Sequence, residues 1–340
     1  MKSVGWGVIG CSDIVERRAG AAIVEQPDSR LLAFLSRDLS RASEFAARLG
    51  AEAAYDDLEA FLRDDRIEIV YVATEPDRHA DLAIAAANAG KHVLVEKPMA
   101  RTRRQCEAMI QAAQASGVRL SVAYYVRFFE KSRVMKRVID EGRLGRIVRA
   151  NIRVMTHYDP PPSDPRCWRV TPRGGGNQLA DIGSHRLDLL TYFIGRPVKV
   201  CGFADRLTMS YEAADTETAL VQFENGAHVT VFANANTPVT GDATTIEIYG
   251  TEGALLTDPW SDEPVRVLGS DMEPIQVAPP ANAHFPMVDD FARAIAERRV
   301  PRFSGADGMW ATAVIEAAYE SARTGKVVPI AAAAGSLSSE

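Results

Sequence analysis

Over roughly the first 120 residues, short apolar runs alternate with amphipathic stretches. VGWGVI (4–9), LLAFLS (31–36), IEIVYVA (67–73), KHVLVE (91–96) and VRLSVAY (118–124) have the length and apolar content of buried strands. Between them, segments such as SRASEFAARLG and HADLAIAAANAG read as helices, each closed by a glycine where a left-handed cap is needed. Strand, helix and strand in repetition predict a parallel sheet with helices on both faces. Residues 1–123 are therefore expected to form a doubly wound α/β domain that binds a dinucleotide.

From about residue 146 the texture changes to longer β-branched and alternating runs: RIVRANIRVMTH, VKVCGFADRL, TETALVQFENGAHVTVFANAN, ATTIEIYG and PVRVLG. Asn225-Gly226 lies where a two-residue type I′ hairpin turn needs both φ angles positive, which predicts antiparallel pairing. Two helical stretches, PMVDDFARAIAERR and GMWATAVIEAAYESARTG, follow. Residues 124–330 are thus expected to be an α+β domain with a large, mostly antiparallel open sheet, and 331–340 a flexible tail. A sheet face of that kind suits a homodimer or homotetramer and a substrate site.

Composition narrows the class. At 340 residues, two domains are the default. The balance of 39 basic against 45 acidic residues, net −6, disfavours nucleic acid and anionic membrane as partners. Cys11, Cys106, Cys167 and Cys201 are scattered without a C-x-x-C pair, so neither a metal site nor a redox dithiol is expected. The absence of a signal peptide and of any apolar run near 18 residues points to the cytoplasm.

The stretch GWGVIGCSDIV (5–15) matches G-x-G-x-x-G letter for letter from Gly5, yet that register leaves only residues 1–4 for the strand that must feed the turn. Shifting to Gly10-x-Ser12-x-x-Val15 places the turn after a full strand and before a helix beginning near Asp13. Gly10, Ser12, Asp13 and Ile14 are then the phosphate-binding candidates, with the Ser12 hydroxyl a donor at the helix N-terminus. Val15 replaces a small residue, which predicts looser helix–strand packing. At the end of the second strand, Ser36, Arg37 and Arg41 stand where NAD enzymes place a ribose-binding carboxylate. Arginines there favour the 2′-phosphate of NADP; the alternative is that Asp38 reads the ribose and the cofactor is NAD.

The segments GKHVLVEKPMA (90–100), VATEPDRH, YYVRFFEKSRVMKRVIDEGRLGRI and GGGNQLADIGSHRLDLLTYFIG resemble the Gfo/Idh/MocA family of glucose-fructose oxidoreductases, inositol dehydrogenases and MocA-like proteins. The resemblance implies a Rossmann domain, a mixed-sheet second domain, and NAD(P)-dependent hydride transfer on a sugar, anhydrosugar or cyclitol. It also carries roles onto residues. Lys97 matches the lysine of the E-K-P signature, and Asp181 and His185 match the D-x-G-x-H pair. Thr74 and His79 match the third-strand turn that contacts the nicotinamide, with the family's T-P-N reading Thr74-Glu75-Pro76 here.

The chemistry of these residue types agrees. Oxidising an alcohol needs a base for the hydroxyl proton, and an unperturbed imidazole titrates near pH ~6.5. On a helix, Asp181, His185 and Asp188 share one face. Asp181 then orients the imidazole or the substrate, and Lys97 stabilises oxyanion character. Glu96 points away from Lys97 in a strand and is read as bracing the nicotinamide region or the loop. Trp168 and Arg169, in a loop with four prolines, are placed over the nicotinamide or a sugar ring. Tyr125, Arg127 and Tyr158 complete the substrate candidates. Two other readings use the same cofactor: a glycosidase acting by transient oxidation and elimination, and a non-catalytic dinucleotide-sensing regulator. Lys97, Asp181 and His185 together favour chemistry over sensing.

Overall fold

A computed structural model describes residues 3–171, 178–237 and 245–331. The Gly174 to Gly176 run and nearly all of the expected tail lie outside the described residues. The chain divides into two compact units: Met1–Phe129 with Pro279–Met309, and Glu130–Ala278 with Trp310–Glu340.

The first unit is built on six strands: β1 (Val4–Ile9), β2 (Ser29–Leu35), β3 (Ala53–Tyr55), β4 (Ile69–Val72), β5 (His92–Val95) and β6 (Leu120–Val122). Their order is β3-β2-β1-β4-β5-β6, and every pairing is parallel. Helices cover a parallel sheet on both faces, so its strands read as unbroken apolar runs, and all of β1 is buried. Gly5 and Gly7 lie inside β1. A Cβ on Gly5 would sit 2.0 Å from the Arg66 carbonyl oxygen and one on Gly7 2.5 Å from the Phe61 ring, so both glycines serve packing. From β1 the chain winds to β2 on one side, while β4 pairs on the other. That reversal opens a crevice at the carboxyl ends of β1 and β4, where doubly wound sheets bind ligands.

The helices of this unit are α1 (Gly20–Glu25), α2 (Leu39–Leu49), α3 (Leu58–Leu62), α4 (Pro76–Asn88), α5 (Arg103–Ala115) and, from late in the chain, α8 (Phe285–Ala296). Phe291 of α8 packs on Trp6, with ring centroids 6.2 Å apart. The looser packing expected from Val15 is not found. Val15 is fully buried, at the start of a π turn, Val15–Ala19, that runs into α1. Close helix approach passes instead to Gly20, where a Cβ would lie 2.7 Å from Leu49 of α2.

In the second unit, β7 (Ile147–Met155), β8 (Pro197–Asp205), β9 (Thr216–Phe223), β10 (His228–Asn234), β11 (Thr245–Gly250), β12 (Ala254–Leu255), β13 (Val267–Leu268) and β14 (Val328–Pro329) form one sheet. The order is β13-β12-β11-β7-β10-β9-β8-β14, antiparallel except for the β7–β10 pair. Packed with it are α6 (Glu130–Asp140), α7 (Ser184–Ile194) and the later turns of α9 (Gly305–Thr324). The β9–β10 hairpin forms as expected, but not through a type I′ turn. Only Gly226 takes a positive φ, +87°, and its N–H reaches the Phe223 carbonyl at 2.9 Å. The loop is therefore three residues with a glycine bulge, and the Asn225 side chain accepts the Ala227 N–H at 2.9 Å.

Candidate active site

The turn after β1 is held from three sides. Gly10 donates to the Leu35 carbonyl of β2 at 2.9 Å and takes φ +105°, which side chains avoid. A Cβ there would meet the Ala73 carbonyl oxygen, at the end of β4, at 2.6 Å. The Arg41 guanidinium grips the Cys11 carbonyl from α2, at 3.1 Å from Nε and 2.7 Å from Nη2. Arg41 is thus a clasp on the turn; the expected free cation over the adenosine is not what its geometry offers.

Beyond the clasp, the Ser12 carbonyl accepts from Val15 and Glu16, so Asp13 and Ile14 open the helix with the first-turn N–H groups that no helix satisfies internally. The Ser12 hydroxyl is buried and has no protein partner among the described residues. A glycine cradle, an orphan hydroxyl and helix-opening N–H groups fit a dinucleotide pyrophosphate. Burial pushes the Cys11 thiol up to about 11, which leaves it inert despite its position in the turn.

At the end of β2, Asp38 is spent on its own helix. Its carboxylate caps α2, accepting from the N–H groups of Ser40 at 2.9 Å and Arg41 at 3.3 Å. Ser36 Oγ accepts the Asp38 N–H at 3.3 Å, and Arg37 is exposed.

The turns after β4 and β5 are tied together. His79 of α4 is fully buried, with Nδ1 2.9 Å from the Pro98 carbonyl oxygen and Nε2 3.0 Å from that of Thr74. Both ring nitrogens face the backbone, so His79 braces the turns rather than presenting a polar atom to a ligand. Burial lowers its pKa despite those two carbonyls. Lys97 is half-buried, and its peptide bond to Pro98 is cis.

Glu96 beside it is buried, accepts the Tyr71 hydroxyl on Oε1 and the Lys97 N–H at 3.1 Å on Oε2, and lies 3.8 Å from His284 Nε2. Burial would raise the carboxyl, but His284, Tyr71 and Lys97 together hold it below the ordinary glutamate value. Glu96 therefore acts on the loop that carries Lys97. Tyr125 is buried between His284, stacked at 4.5 Å, and Phe129, and its hydroxyl accepts from Arg18 at 3.3 Å. The Arg127 guanidinium lies 4.2 Å over the Phe303 ring.

In the second unit, Asp181 and His185 share one helix, but not the regular α-helix expected. Leu179–Gly183 forms a π turn that runs into α7, which is buried on all sides from Ser184 to Leu190. Asp181 accepts from Arg169 Nη1 at 2.7 Å. The Arg169 guanidinium also lies 5.2 Å from the Trp168 ring, so the arginine that reaches Asp181 packs on its neighbour in the loop. Tyr158 donates from its hydroxyl to the Arg166 carbonyl at 3.3 Å in the same loop.

Two residues that the motifs did not indicate join this group. Trp260 stands edge-on to the His185 ring at 6.2 Å, with the Arg186 guanidinium 4.0 Å over it. Glu217 of β9 accepts the Leu179 N–H at 2.9 Å. Trp260 had no spacing signal; Glu217 did, as a carboxylate in register with the inward Ala219, Val221 and Phe223 of its strand.

Residues 4–124 match the family described as "Oxidoreductase family, NAD-binding Rossmann fold", and residues 132–256 match the "GFO/IDH/MocA C-terminal domain". The chain is 30% identical over 335 residues to 1,5-anhydro-D-fructose reductase of Ensifer adhaerens, covering 96% of this chain and 98% of that one. The chain belongs to the Gfo/Idh/MocA oxidoreductase family. It is also similar to D-xylose 1-dehydrogenase (NADP(+)) 2 of Haloferax volcanii, 27% identical over 332 residues, which span 96% of this chain and 99% of that protein. A solved levoglucosan dehydrogenase in complex with NADH and levoglucosan superposes with a TM-score of 0.87 at 26% identity, over 97% of this chain and 100% of that one. As a Gfo/Idh/MocA member, the chain is an NAD(P)-dependent oxidoreductase, and the turn at Gly10 sits in its NAD-binding Rossmann unit. No described helix of this family member is long and apolar enough to cross a membrane.

Proposed function

We propose that this oxidoreductase interconverts a hydroxyl and a keto carbon of a sugar, anhydrosugar or cyclitol, with NADP(H) preferred over NAD(H). The observation that carries the reading is the pairing of Asp181 and His185 on one buried helix, with Asp181 anchored by Arg169 at 2.7 Å. His185 takes the hydroxyl proton in oxidation and returns it in reduction. Asp181 orients the imidazole or the substrate hydroxyl, and Lys97 stabilises oxyanion character on the substrate. When bound, the nicotinamide accepts or supplies the hydride. Gly10, Ser12, Asp13 and Ile14 hold the cofactor's phosphates through backbone N–H groups and the Ser12 hydroxyl.

The NADP preference is supported by Asp38, whose carboxylate is committed to capping α2, and by the exposed Arg37 beside it. A relative named for NADP(+) agrees with this, while a similar structure carries NADH. The substrate class is supported by relatives named for anhydrosugars and an aldopentose. The first unit takes the cofactor and the second the substrate. On the open face of the second sheet, Phe203 and Leu220 are 69% and 56% exposed on neighbouring strands, an apolar area that suits a homodimer or homotetramer. The free thiols agree with the cytoplasm.

The test is nicotinamide absorbance against a panel of sugars, anhydrosugars and cyclitols with wild type, His185→Asn and Lys97→Ala. Net reduction of cofactor is expected in wild type, with losses of about 100- to 10,000-fold in either variant and unchanged dinucleotide affinity. Variants that turn over like wild type would sink the assignment. Sugar turnover without net cofactor reduction would select the glycosidase reading.

A further inference from the structure

We propose that Glu217 is a positioning residue for the proton-transfer pair: its carboxyl, through the Leu179 N–H, holds the register of the π turn that presents Asp181 and His185. The proposal rests on the functional reading above. Glu217 is 1% exposed and lies on β9, which is paired on both sides, with β8 and β10. Oε2 accepts the Leu179 N–H at 2.9 Å, while Oε1 accepts the Tyr319 hydroxyl of α9 at 2.7 Å. One carboxyl thus joins the stiff centre of a sheet to the first residue of the π turn.

The location of that bond gives it leverage. A π turn holds one residue more than an α turn, and each residue of an α-helix advances about 100° around the axis. Were the turn at Leu179–Gly183 to relax to α geometry, Asp181 would rotate by roughly that angle relative to His185. Asp181 would then leave Arg169, and the two groups would no longer face one substrate hydroxyl. Leu179 is itself 3% exposed, so its N–H needs a protein acceptor, and the Glu217 carboxyl provides one.

A carboxyl in this place is not needed for packing. The inward positions of β9 otherwise hold Ala219, Val221 and Phe223, and an apolar residue at 217 would continue the row. Burial pushes the Glu217 carboxyl up to about 8, against the lowering effect of its bonds from Tyr319 and Leu179, and Asp215, just before the strand, adds to the rise. The carboxyl is thus held above the ordinary glutamate range, at the start of the helix that bears Asp181 and His185.

The test compares Glu217→Ala, Glu217→Gln and His185→Asn in the full-length enzyme, with kcat, KM and dinucleotide affinity measured from pH 6 to 9.5 and folding checked by circular dichroism. Glu217→Ala is expected to lose about 10- to 100-fold in kcat at unchanged dinucleotide affinity. Glu217→Gln, which can still accept the Leu179 N–H, is expected to recover kcat to within about threefold at pH 7 and to lose the ionisation near pH 8 from the kcat profile. The proposal is overturned if His185→Asn is inactive while Glu217→Ala turns over within twofold of wild type, or if Glu217→Gln keeps the wild-type alkaline limb. An active His185→Asn instead overturns the functional reading. Should the alanine variant fail to fold, the alkaline limb of the glutamine variant decides.

Discussion

Gly10 holds the turn proposed to bind the cofactor through a backbone conformation and a close contact that one methyl group would disturb. In Gly10→Ala the new Cβ would lie 2.6 Å from the Ala73 carbonyl oxygen, 2.9 Å from its carbon and 3.2 Å from Thr74 Cγ2, at φ +105°. An L-residue held at positive φ costs about 1–2 kcal/mol. The contact to the carbonyl must open by about 0.4 Å to reach the 3.0 Å floor of real Cβ contacts, and forced repacking of that kind costs about 1–3 kcal/mol. The sum is about 2–5 kcal/mol, and the end of β4 is displaced from the crevice. Gly50→Ala is the control: φ is +73° with nothing within 4 Å of the new Cβ, so only the conformational part applies. The assay is the urea midpoint of each variant, together with NADP(H) and NAD(H) titrations by fluorescence. Gly10→Ala should lose clearly more stability than Gly50→Ala and bind dinucleotide at least about tenfold more weakly, while Gly50→Ala binds normally. Equal destabilisation by the two variants, with dinucleotide affinity intact in both, would refute the packing of Gly10 on β4 as the basis of the site.

Two further outcomes concern single charged side chains. Arg37→Asp should lower the ratio of kcat/KM for NADP to that for NAD by about tenfold or more, since a charged hydrogen bond to phosphate contributes about 1.5–3 kcal/mol; an unchanged ratio counts against NADP preference. Asp215 is buried, which alone would raise its carboxyl, but the N–H groups of Met209, Thr208 and Leu207 outweigh burial and hold it at about 2. Its folded pKa lies below its unfolded one, so its contribution, about 2 kcal/mol, is present above pH 4 and fades as pH falls toward 2. The stability gap between wild type and Asp215→Asn in urea should therefore narrow over that window, and a gap that stays constant with pH would contradict the account.

What could be read from the chain depended on how local the cause was. β1, β2, β4, β5 and β6 were legible because a strand covered on both faces must be apolar along its length, as VGWGVI is. β3, three half-buried residues Ala53–Tyr55, leaves no such run. The pattern also located the β9–β10 hairpin, yet not its turn, in which the Asn225 side chain accepts the Ala227 N–H of a three-residue loop. Nothing in the composition near residue 285 announces that α8 returns to the first unit, because Phe291 meets Trp6 across nearly the whole sequence. The Gly10 register was legible for a similar local reason: Gly5 and Gly7 could be assigned to the strand by counting the residues needed to feed a turn.

The candidate site divides along the same line. Asp181, His185 and Lys97 sit in motifs whose spacing is itself the signal, whereas the residues that hold them act from far away in sequence. Arg41 reaches back to Cys11, His284 to Glu96, and Glu217 to Leu179. Each of these partners carries a polar group that its local pattern does not require, and in each case it ends on a backbone atom or a buried charge beside a candidate active-site residue. Glu217 shows how such residues can be found. A strand with Ala219, Val221 and Phe223 facing inward has no packing reason to place a carboxyl at the next inward position. Burying an unpartnered carboxyl costs several kcal/mol, on the order of 2–7. The residue must then have a partner that the strand itself does not provide, and the partner here is the helix that carries Asp181 and His185.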